Sequence, residues 1–440
     1  MKKQLYIETY GCQMNFSDSE IIAAIMADAR YELTTDYRQA DVIFINTCSI
    51  RENAEQRVRK RLRELQHIKV KNPGVKIGLL GCMAERLQEQ LFHEEEAIDL
   101  IAGPDTYRDL PRLLHLAESG QKAANIILSE EETYSNLEAI RYDSNGISAY
   151  ISIMRGCENF CSYCVVPYTR GKERSRDPET IIEEAATLFD NGYREIILLG
   201  QNVNSYQWKN DQDLFTFPEL ITAVATISTK LRIRFATSHP KDLSDALIDV
   251  MANTPNICNH IHLPVQSGSD PILKAMNRKY DRRWYMNRIE VLKKNIPDIG
   301  ISTDIITGFC GETDDDHNNT LQLMKDVGYD FAFMFKYSSR PGTKAFRSMN
   351  DDVPETVKKE RLNEIIGLQQ ALSLQSNRAD IGKSYSVLVE SVSKKSTSHL
   401  SGRNEQNKVV VFPKRGYIPG AYVTVKITGC TSATLLGEAV

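Results

Sequence analysis

Short apolar strands alternate with amphipathic helices along two stretches of this chain, and that rhythm leaves few folds open. Over residues 1–117 the spacing predicts strands at 3–10, 41–46, 76–80 and 98–102 and helices at 17–29, 49–69, 84–96 and 106–117. Capping boxes mark two helix starts, Ser17 with Glu20 and Ser49 with Glu52. Regular alternation implies right-handed crossovers and an open parallel sheet covered on both faces. The rhythm returns from Ser148 to about Ser339, with strands at 149–154, 194–200, 232–237, 260–264, 300–308 and 331–337. Helices fill the gaps at 178–191, 217–228, 243–253, 282–295 and 314–327. Six repeats are too few for a closed eight-fold barrel and predict a partial, open (β/α)6 barrel. Residues 118–148, with an acidic knot at Glu130-Glu131-Glu132, read as a linker. Residues 354–380 carry Leu362, Ile365, Ile366, Leu372 and Leu374 at helical spacing, which predicts one long helix. The last stretch changes to short strands at 385–392, 409–412, 422–428 and 432–438 with Gly and Pro turns, the pattern of a small β-barrel of OB type. The chain is therefore expected to be an α/β protein in three parts, 1–120, 141–375 and 376–440.

The thiols fall at telling places on this scaffold. Cys157, Cys161 and Cys164 form a C-x3-C-x2-C loop directly after the strand at 149–154. Three thiolates bind three irons of a four-iron cube and leave the fourth open to a ligand. Zinc is the competing reading, but it prefers four closed ligands, and the nearest downstream histidine is His239. The spacing resembles that of the radical S-adenosylmethionine (SAM) superfamily, whose members bind SAM at the open iron and cleave it to a 5′-deoxyadenosyl radical. Cys12, Cys48 and Cys82 each stand just past one of the first three strands. In an open parallel sheet those carboxyl ends lie along one edge, and the following helix N-termini favour thiolates there. A second three-Cys cluster with an open iron is the expectation, beside the plainer reading that cysteines are often simply buried.

The same strand-end rule nominates a SAM pocket: Tyr163 in the cysteine loop, Gln201 and Asn202 after the strand at 194–200, Ser238, Gln266 and Asp304. Each serves equally well as a loop or cap residue. His239, His260 and His262 read as strand-end or core histidines without a role, Cys310 as a packed thiol, and Cys258 and Cys430, which lack partners at ligand spacing, are given no role.

Composition narrows the setting. Hydrophobic content of 41% and charged content of 25% belong to a globular protein. No apolar run reaches membrane length and the N-terminus lacks an apolar core, so a cytoplasmic protein with no membrane partner is expected. Nine cysteines, odd in number and widely spaced, argue against a disulfide framework. The formal charge is −4, yet Lys383 onward carries six Lys and two Arg against three Glu, a net +5 on the terminal barrel and −9 on the rest. A basic β-barrel on an acidic body suits RNA, with Lys394, Lys395, Arg403, Lys408, Lys414 and Arg415 as phosphate contacts; outward lysines on an ordinary soluble barrel are the alternative. Arg51, Arg57, Arg59, Lys60, Arg61 and Arg63 read first as a solvated helix face.

Three word-like motifs then point to one family. Glu8-Thr9-Tyr10-Gly11-Cys12-Gln13-Met14-Asn15, Asn46-Thr47-Cys48-Ser49-Ile50-Arg51-Glu52 and the stretch from Gly156-Cys157-Glu158-Asn159 through Tyr168-Thr169-Arg170-Gly171 resemble the signatures of methylthiotransferases. The resemblance runs nearly end to end: an N-terminal methylthiotransferase domain, a radical SAM core and a TRAM domain. Gln13-Met14-Asn15, the run from Val165 to Arg176 and Leu263-Pro264-Val265-Gln266-Ser267-Gly268-Ser269 favour the MiaB-type branch over the branch acting on a ribosomal protein side chain. Cys310 stands where relatives commonly have Pro. The resemblance implies two 4Fe-4S clusters, SAM, and a tRNA carrying isopentenyladenosine beside the anticodon. It further implies an electron donor such as flavodoxin or ferredoxin, a sulfur donor, and a monomer. The reaction implied is replacement of the unactivated 2-hydrogen of adenine by a methylthio group.

Overall fold

A computed structural model describes every residue except 1, 50, 51, 89, 143, 211 and 212. The chain divides into two compact units. The first is Met1–Asp143 with Met154–Phe160 and Cys164–Thr180; the second is Ser144–Ile153, Cys161–Tyr163 and Ile181–Val440.

The first unit is built on a six-stranded, wholly parallel sheet: β1 Lys3–Thr9, β2 Tyr31–Leu33, β3 Val42–Thr47, β4 Lys76–Gly81, β5 Leu100–Ala102 and β6 Ala123–Asn125, in the order β2-β1-β3-β4-β5-β6. Its helices are α1 Gln13–Asp28, α2 Glu52–Lys71, α3 Cys82–Leu87, α4 Gln90–Glu94 and α5 Leu110–Glu118. Two apolar cores flank the sheet, as crossovers on both faces require: one joins Ile22, Met26, Phe44 and Leu113, the other Ile45, Val58, Leu62 and Leu79.

Three expectations need correction here. The capping box at Ser17 is absent, because α1 begins four residues earlier with Cys12 at its N-cap; Ser17 and Glu20 are buried inside the helix. The helix expected at 84–96 is two short ones, interrupted at Gln88, whose φ of +52° cannot continue a helix. The stretch 118–148 is not a loose linker: it adds β6 to the sheet, buries Tyr134, and pairs Arg141 with Glu20. The box at Ser49 and Glu52 needs the Glu52 side chain, which lies outside what is described; α2 is described from Glu52, and Ser49 Oγ accepts from Arg86 Nε. On α2, Arg59 pairs with Glu94 and Glu95 and Arg61 with Glu8, while Arg57, Lys60 and Arg63 are exposed.

In the second unit six parallel strands appear in the expected order. Ser148–Ser152, Glu195–Leu199 and Arg232–Phe235 form one set; His260–His262, Gly300–Thr307 and Phe331–Lys336 form the other. A parallel bridge between Ile233 and Ile257 carries the pairing from one set to the next. Expected and observed helices agree closely, including Glu355–Arg378 for the long one.

The terminal barrel is closed by five strands, Ser384–Val392, His399–Arg403, Val409–Pro413, Leu435–Ala439 and Tyr422–Cys430 in that order. Its 403–406 turn meets the amino ends of the parallel strands. Arg232 donates to the carbonyls of Arg403 (2.8 Å) and Ser386 (3.1 Å). Arg234 donates to those of Asn404 (2.7 Å) and Glu405 (3.1 Å) while its Nε holds the buried Glu195 at 2.7 Å. Lys408, expected on phosphate, is instead tied to Asp380, Asp330 and Ser376, and Arg403 leans on Glu390 and Asn407. Lys394, Lys395, Lys414 and Arg415 are exposed.

Candidate functional site

Cys12, Cys48 and Cys82 do stand past the ends of β1, β3 and β4, and short polar side chains lace these loops together. Asn15 donates to the Thr47 carbonyl (3.0 Å), Asn46 to the Asn15 carbonyl (2.8 Å) and Thr47 to the Leu80 carbonyl (2.7 Å). Gly11 is required by close approach, since a Cβ there would lie 2.6 Å from that of Cys48, and its φ is +140°. The Cys12 residue is open to solvent while Cys48 and Cys82 are buried. A hydrogen bond with Cys48 brings the Cys12 thiol down to about 6, against desolvation around the sulfur and with help from Arg170. Burial pushes the Cys82 thiol up, opposed by Arg170. Among the described residues no three Cys, His, Asp or Glu side chains gather at the distance of one shared metal ion. The Cys12 thiol is linked to Cys48 by that hydrogen bond and shares its neighbour Arg170 with Cys82.

Behind these thiols lies a buried ionic network that the sequence patterns did not flag. Asp18, on α1, accepts from Arg155 Nη1 at 2.9 Å and from Arg170 Nη2 at 2.6 Å. Asp105 accepts from Arg174 Nη2 at 2.9 and 3.0 Å. The Arg155 guanidinium lies over the Tyr134 ring, 4.8 Å from its centroid. The only available signal was indirect: Arg155, Arg170 and Arg174 flank the cysteine loop in sequence, and an isolated arginine there looks like any surface arginine.

In the C-x3-C-x2-C loop each sulfur accepts a hydrogen bond. Asn159 Nδ2 donates to Cys157 (3.3 Å), the Val166 amide to Cys164 (3.5 Å) and Arg278 Nη1 to Cys161 (3.3 Å). Cys157 and Cys164 belong to the first unit and Cys161 to the second. Gly156 cannot be another residue, because a Cβ would lie 1.8 Å from the Lys172 carbonyl oxygen at a φ of +81°. Donors aimed at each sulfur are what thiolate ligands require.

Gln201, Asn202, Ser238 and Gln266 follow the carboxyl ends of strands in the second unit, whereas Asp304 sits within the strand Gly300–Thr307 rather than past its end, and the residues have different occupations. Tyr163 is half-buried and edge-on to Phe309, with centroids 6.5 Å apart. Asn202 is engaged: it accepts from the His239 amide (3.0 Å) and donates to Asp242 (2.7 Å), so it staples two loops. Ser238 is buried with an unpartnered hydroxyl. Gln266 holds φ at +73° and joins its amide to the Asp304 carbonyl at 2.9 Å. The Asp304 carboxylate faces His262 at 3.4 Å, and Gln201 is half-buried. Thr237 also holds a positive φ, +70°, which a β-branched residue rarely adopts and which accumulates at binding sites.

His239 was given no role, and the structure makes it notable. Its Nδ1 accepts from the Lys241 amide, so its proton sits on Nε2, which is buried without a partner. Burial and Arg278 hold the ring well below the usual histidine range, hence neutral. The Asn204 side-chain amide is likewise unpartnered. Cys310 is packed as expected, Cys258 is buried and Cys430 half-buried; burial raises Cys258 to about 11 and pushes Cys310 up.

Three family models match the chain in order. They are the uncharacterized protein family UPF0004 over residues 4–103, the radical SAM superfamily over 151–324 and the TRAM domain over 378–440. Among curated relatives, a tRNA-2-methylthio-N(6)-dimethylallyladenosine synthase of Amoebophilus asiaticus is 55% identical, over 99% of this chain and 92% of its own. One of the same name from Chloroherpeton thalassium is 54% identical over 100% of this chain and 96% of its own. A solved structure of the radical SAM methyltransferase TsrM from Kitasatospora setae aligns with a TM-score of 0.56, covering 76% of this chain and 72% of that one. At 10% identity that likeness concerns the fold alone.

Proposed function

We infer the reaction from one premise: the chain belongs to the family of tRNA-2-methylthio-N(6)-dimethylallyladenosine synthases. It is a radical SAM methylthiotransferase, converting isopentenyladenosine next to the tRNA anticodon to its 2-methylthio derivative. The observation that carries this is identity of about half the residues over the full length of relatives so named. Those names speak against the ribosomal-protein reading. No helix among the described residues is long and apolar enough to cross a membrane, and a cytoplasmic setting belongs to the reading.

Cys157, Cys161 and Cys164 are the proposed ligands of the 4Fe-4S cluster that the superfamily implies. Cys12, Cys48 and Cys82 are the proposed ligands of a second. When bound, the first supplies the electron that cleaves SAM to an adenosyl radical, and the second supplies an open iron for sulfur. The 2-hydrogen of adenine is too weakly acidic for a general base, which is why radical chemistry is needed.

The chain's own residues prepare for this. Asn159, Arg278 and the Val166 amide aim donors at the three loop sulfurs. Tyr163, Gln201, Ser238, Gln266 and Asp304 are proposed to hold SAM, with Asn202 positioning the loops. Ser238 Oγ, the neutral His239 Nε2–H and the Asn204 amide offer polar groups that the protein itself leaves unpaired. The terminal barrel is proposed to hold tRNA through Lys394, Lys395, Lys414 and Arg415. A flavodoxin or ferredoxin as reductant, a separate sulfur donor, a monomeric state and the three-part division 1–120, 141–375 and 376–440 complete the proposal.

Cys161→Ala tests it. Anaerobically reconstituted variant should neither cleave SAM reductively nor form methylthio product on tRNA carrying isopentenyladenosine. Full product formation by that variant would remove the cysteine loop from the reaction.

A further inference from the structure

The first unit buries an uneven set of charges beside Cys12, Cys48 and Cys82. Arg155, Arg170 and Arg174 are all buried, and among the described residues two carboxylates, Asp18 and Asp105, are paired with them. Asp18 divides its oxygens between Arg155 and Arg170, and Asp105 holds Arg174 and also faces Arg155 Nε at 3.6 Å. Glu85, the other carboxyl beside Asp105, is pushed up to about 8 by burial and Asp105, which favours its neutral form. Tyr107 and Tyr134, which line the same network, are held protonated by burial. One guanidinium is therefore without a carboxylate of its own in a place where an unpaired charge is costly, and the thiols of Cys12 and Cys82 are the anionic groups nearest to it after Asp18.

Arg155 and Arg174 each keep a buried Nε without a partner as well, but the guanidinium that lies beside the thiols is that of Arg170. Its Nη2 is committed to Asp18, while its Nη1 is buried and without a hydrogen-bond partner. The guanidinium faces the thiols of both Cys12 and Cys82. Arg170 ends the short helix Val166–Thr169, which packs against the helix that Cys82 begins. A four-iron cube held by three thiolates is net anionic, and a sulfide on its open iron makes it more so. Such a group would satisfy the unpaired charge and the spare N–H together.

Resting on the two-cluster reading above, we propose that Arg170 is a positioning residue for the second cluster: its free Nη1–H donates to a cluster or cluster-bound sulfur, and its charge offsets that anion. Net charge and hydrogen bonds to sulfur set the potential of such clusters, so removing Arg170 should make this one harder to reduce.

The test uses full-length protein carrying Cys157→Ala, Cys161→Ala and Cys164→Ala, so that only the second cluster loads, and reads its midpoint potential by EPR-monitored titration. This background should hold about four irons. If it holds none, the two-cluster reading falls, and this assignment with it. With iron present, Arg170→Gln should shift the midpoint to more negative values and Arg170→Lys less so. An unchanged midpoint in Arg170→Gln overturns the assignment while leaving two clusters in place. Should Arg170→Gln fail to load, Asp18→Asn decides: it keeps Arg170 but removes its counter-charge, so the midpoint should move positive, and no shift or a negative one overturns the proposal.

Discussion

Asp18 shows how much one side chain can settle. It is fully buried on α1, and it holds two guanidiniums that the chain supplies more than a hundred residues later. Pairs of this kind contribute little when intact, but about 3–5 kcal/mol is lost when one partner is removed. Glu85 gives the same neighbourhood a pH signature. Its carboxyl is pushed from the ordinary 4.5 up to about 8, so the folded state holds a proton that the unfolded chain releases. That stability is fully present below pH 4.5 and is lost as pH rises toward 8, at about 1.4 kcal/mol per pH unit across the window. Glu85→Gln should therefore gain melting temperature over the parent progressively between pH 5 and 8 and hold a constant difference above it. Thermal unfolding of both proteins across that range checks this, and parallel curves would contradict the buried, protonated carboxyl.

At the scale of elements, the thiols owe their placing to where helices start. Because α1 begins at Gln13, Cys12 caps it directly, and Cys82 opens α3 directly after β4. Helix N-termini favour thiolate, which acts with the Cys48 hydrogen bond at Cys12, whereas at Cys82 burial outweighs it and the thiol is pushed up. The loop at Cys157 depends instead on a backbone contact. Gly156→Ala would place a methyl against the Lys172 carbonyl, displacing the Met154–Arg155 and Arg174–Ser175 pairing on which the loop is hung. After reconstitution this variant should retain about four irons where the parent holds about eight. A parent-like iron content would mean that the loop tolerates a shifted backbone. The helix starts also mark where pattern reading fell short. Ser17 with Glu20 looks like a capping box, yet Glu20 is taken by Arg141 and the helix has already begun.

At the scale of the molecule, the second unit separates support from chemistry. The terminal barrel meets the amino ends of the parallel strands through Arg232, Arg234 and Tyr422, and Gln201, Asn202, Ser238 and Gln266 follow the carboxyl ends. That division matches barrels in which one face carries stability and the other the reaction. It also sorts the basic residues, since Lys408 is consumed in holding the barrel to the long helix while Lys394, Lys395 and Lys414 stay exposed. Replacing those three by Ala should weaken tRNA binding and flatten the plot of log affinity against log salt by about two to three in slope. An unaltered slope would take this surface out of tRNA binding.

The sequence by itself determined the alternation of strand and helix, the six-fold repeat, the terminal barrel and the strand-end position of all six proposed ligand thiols. These are local properties: periodicity, turn residues and the spacing of Cys12, Cys48, Cys82 and the loop from Cys157 to Cys164 are written within a few residues of where they act. Tertiary structure alone decided the edge strands Tyr31–Leu33 and Ala123–Asn125, which are too short to show a period. It alone decided that Lys408 clamps rather than binds, that His239 is neutral with a spare N–H, and that Asp18 gathers Arg155 and Arg170. Those facts depend on which groups meet across long stretches of chain and on what water is excluded from them. A hydrogen bond left unmade or a charge left unbalanced is a property of surroundings, and no single residue's neighbours in sequence can state it.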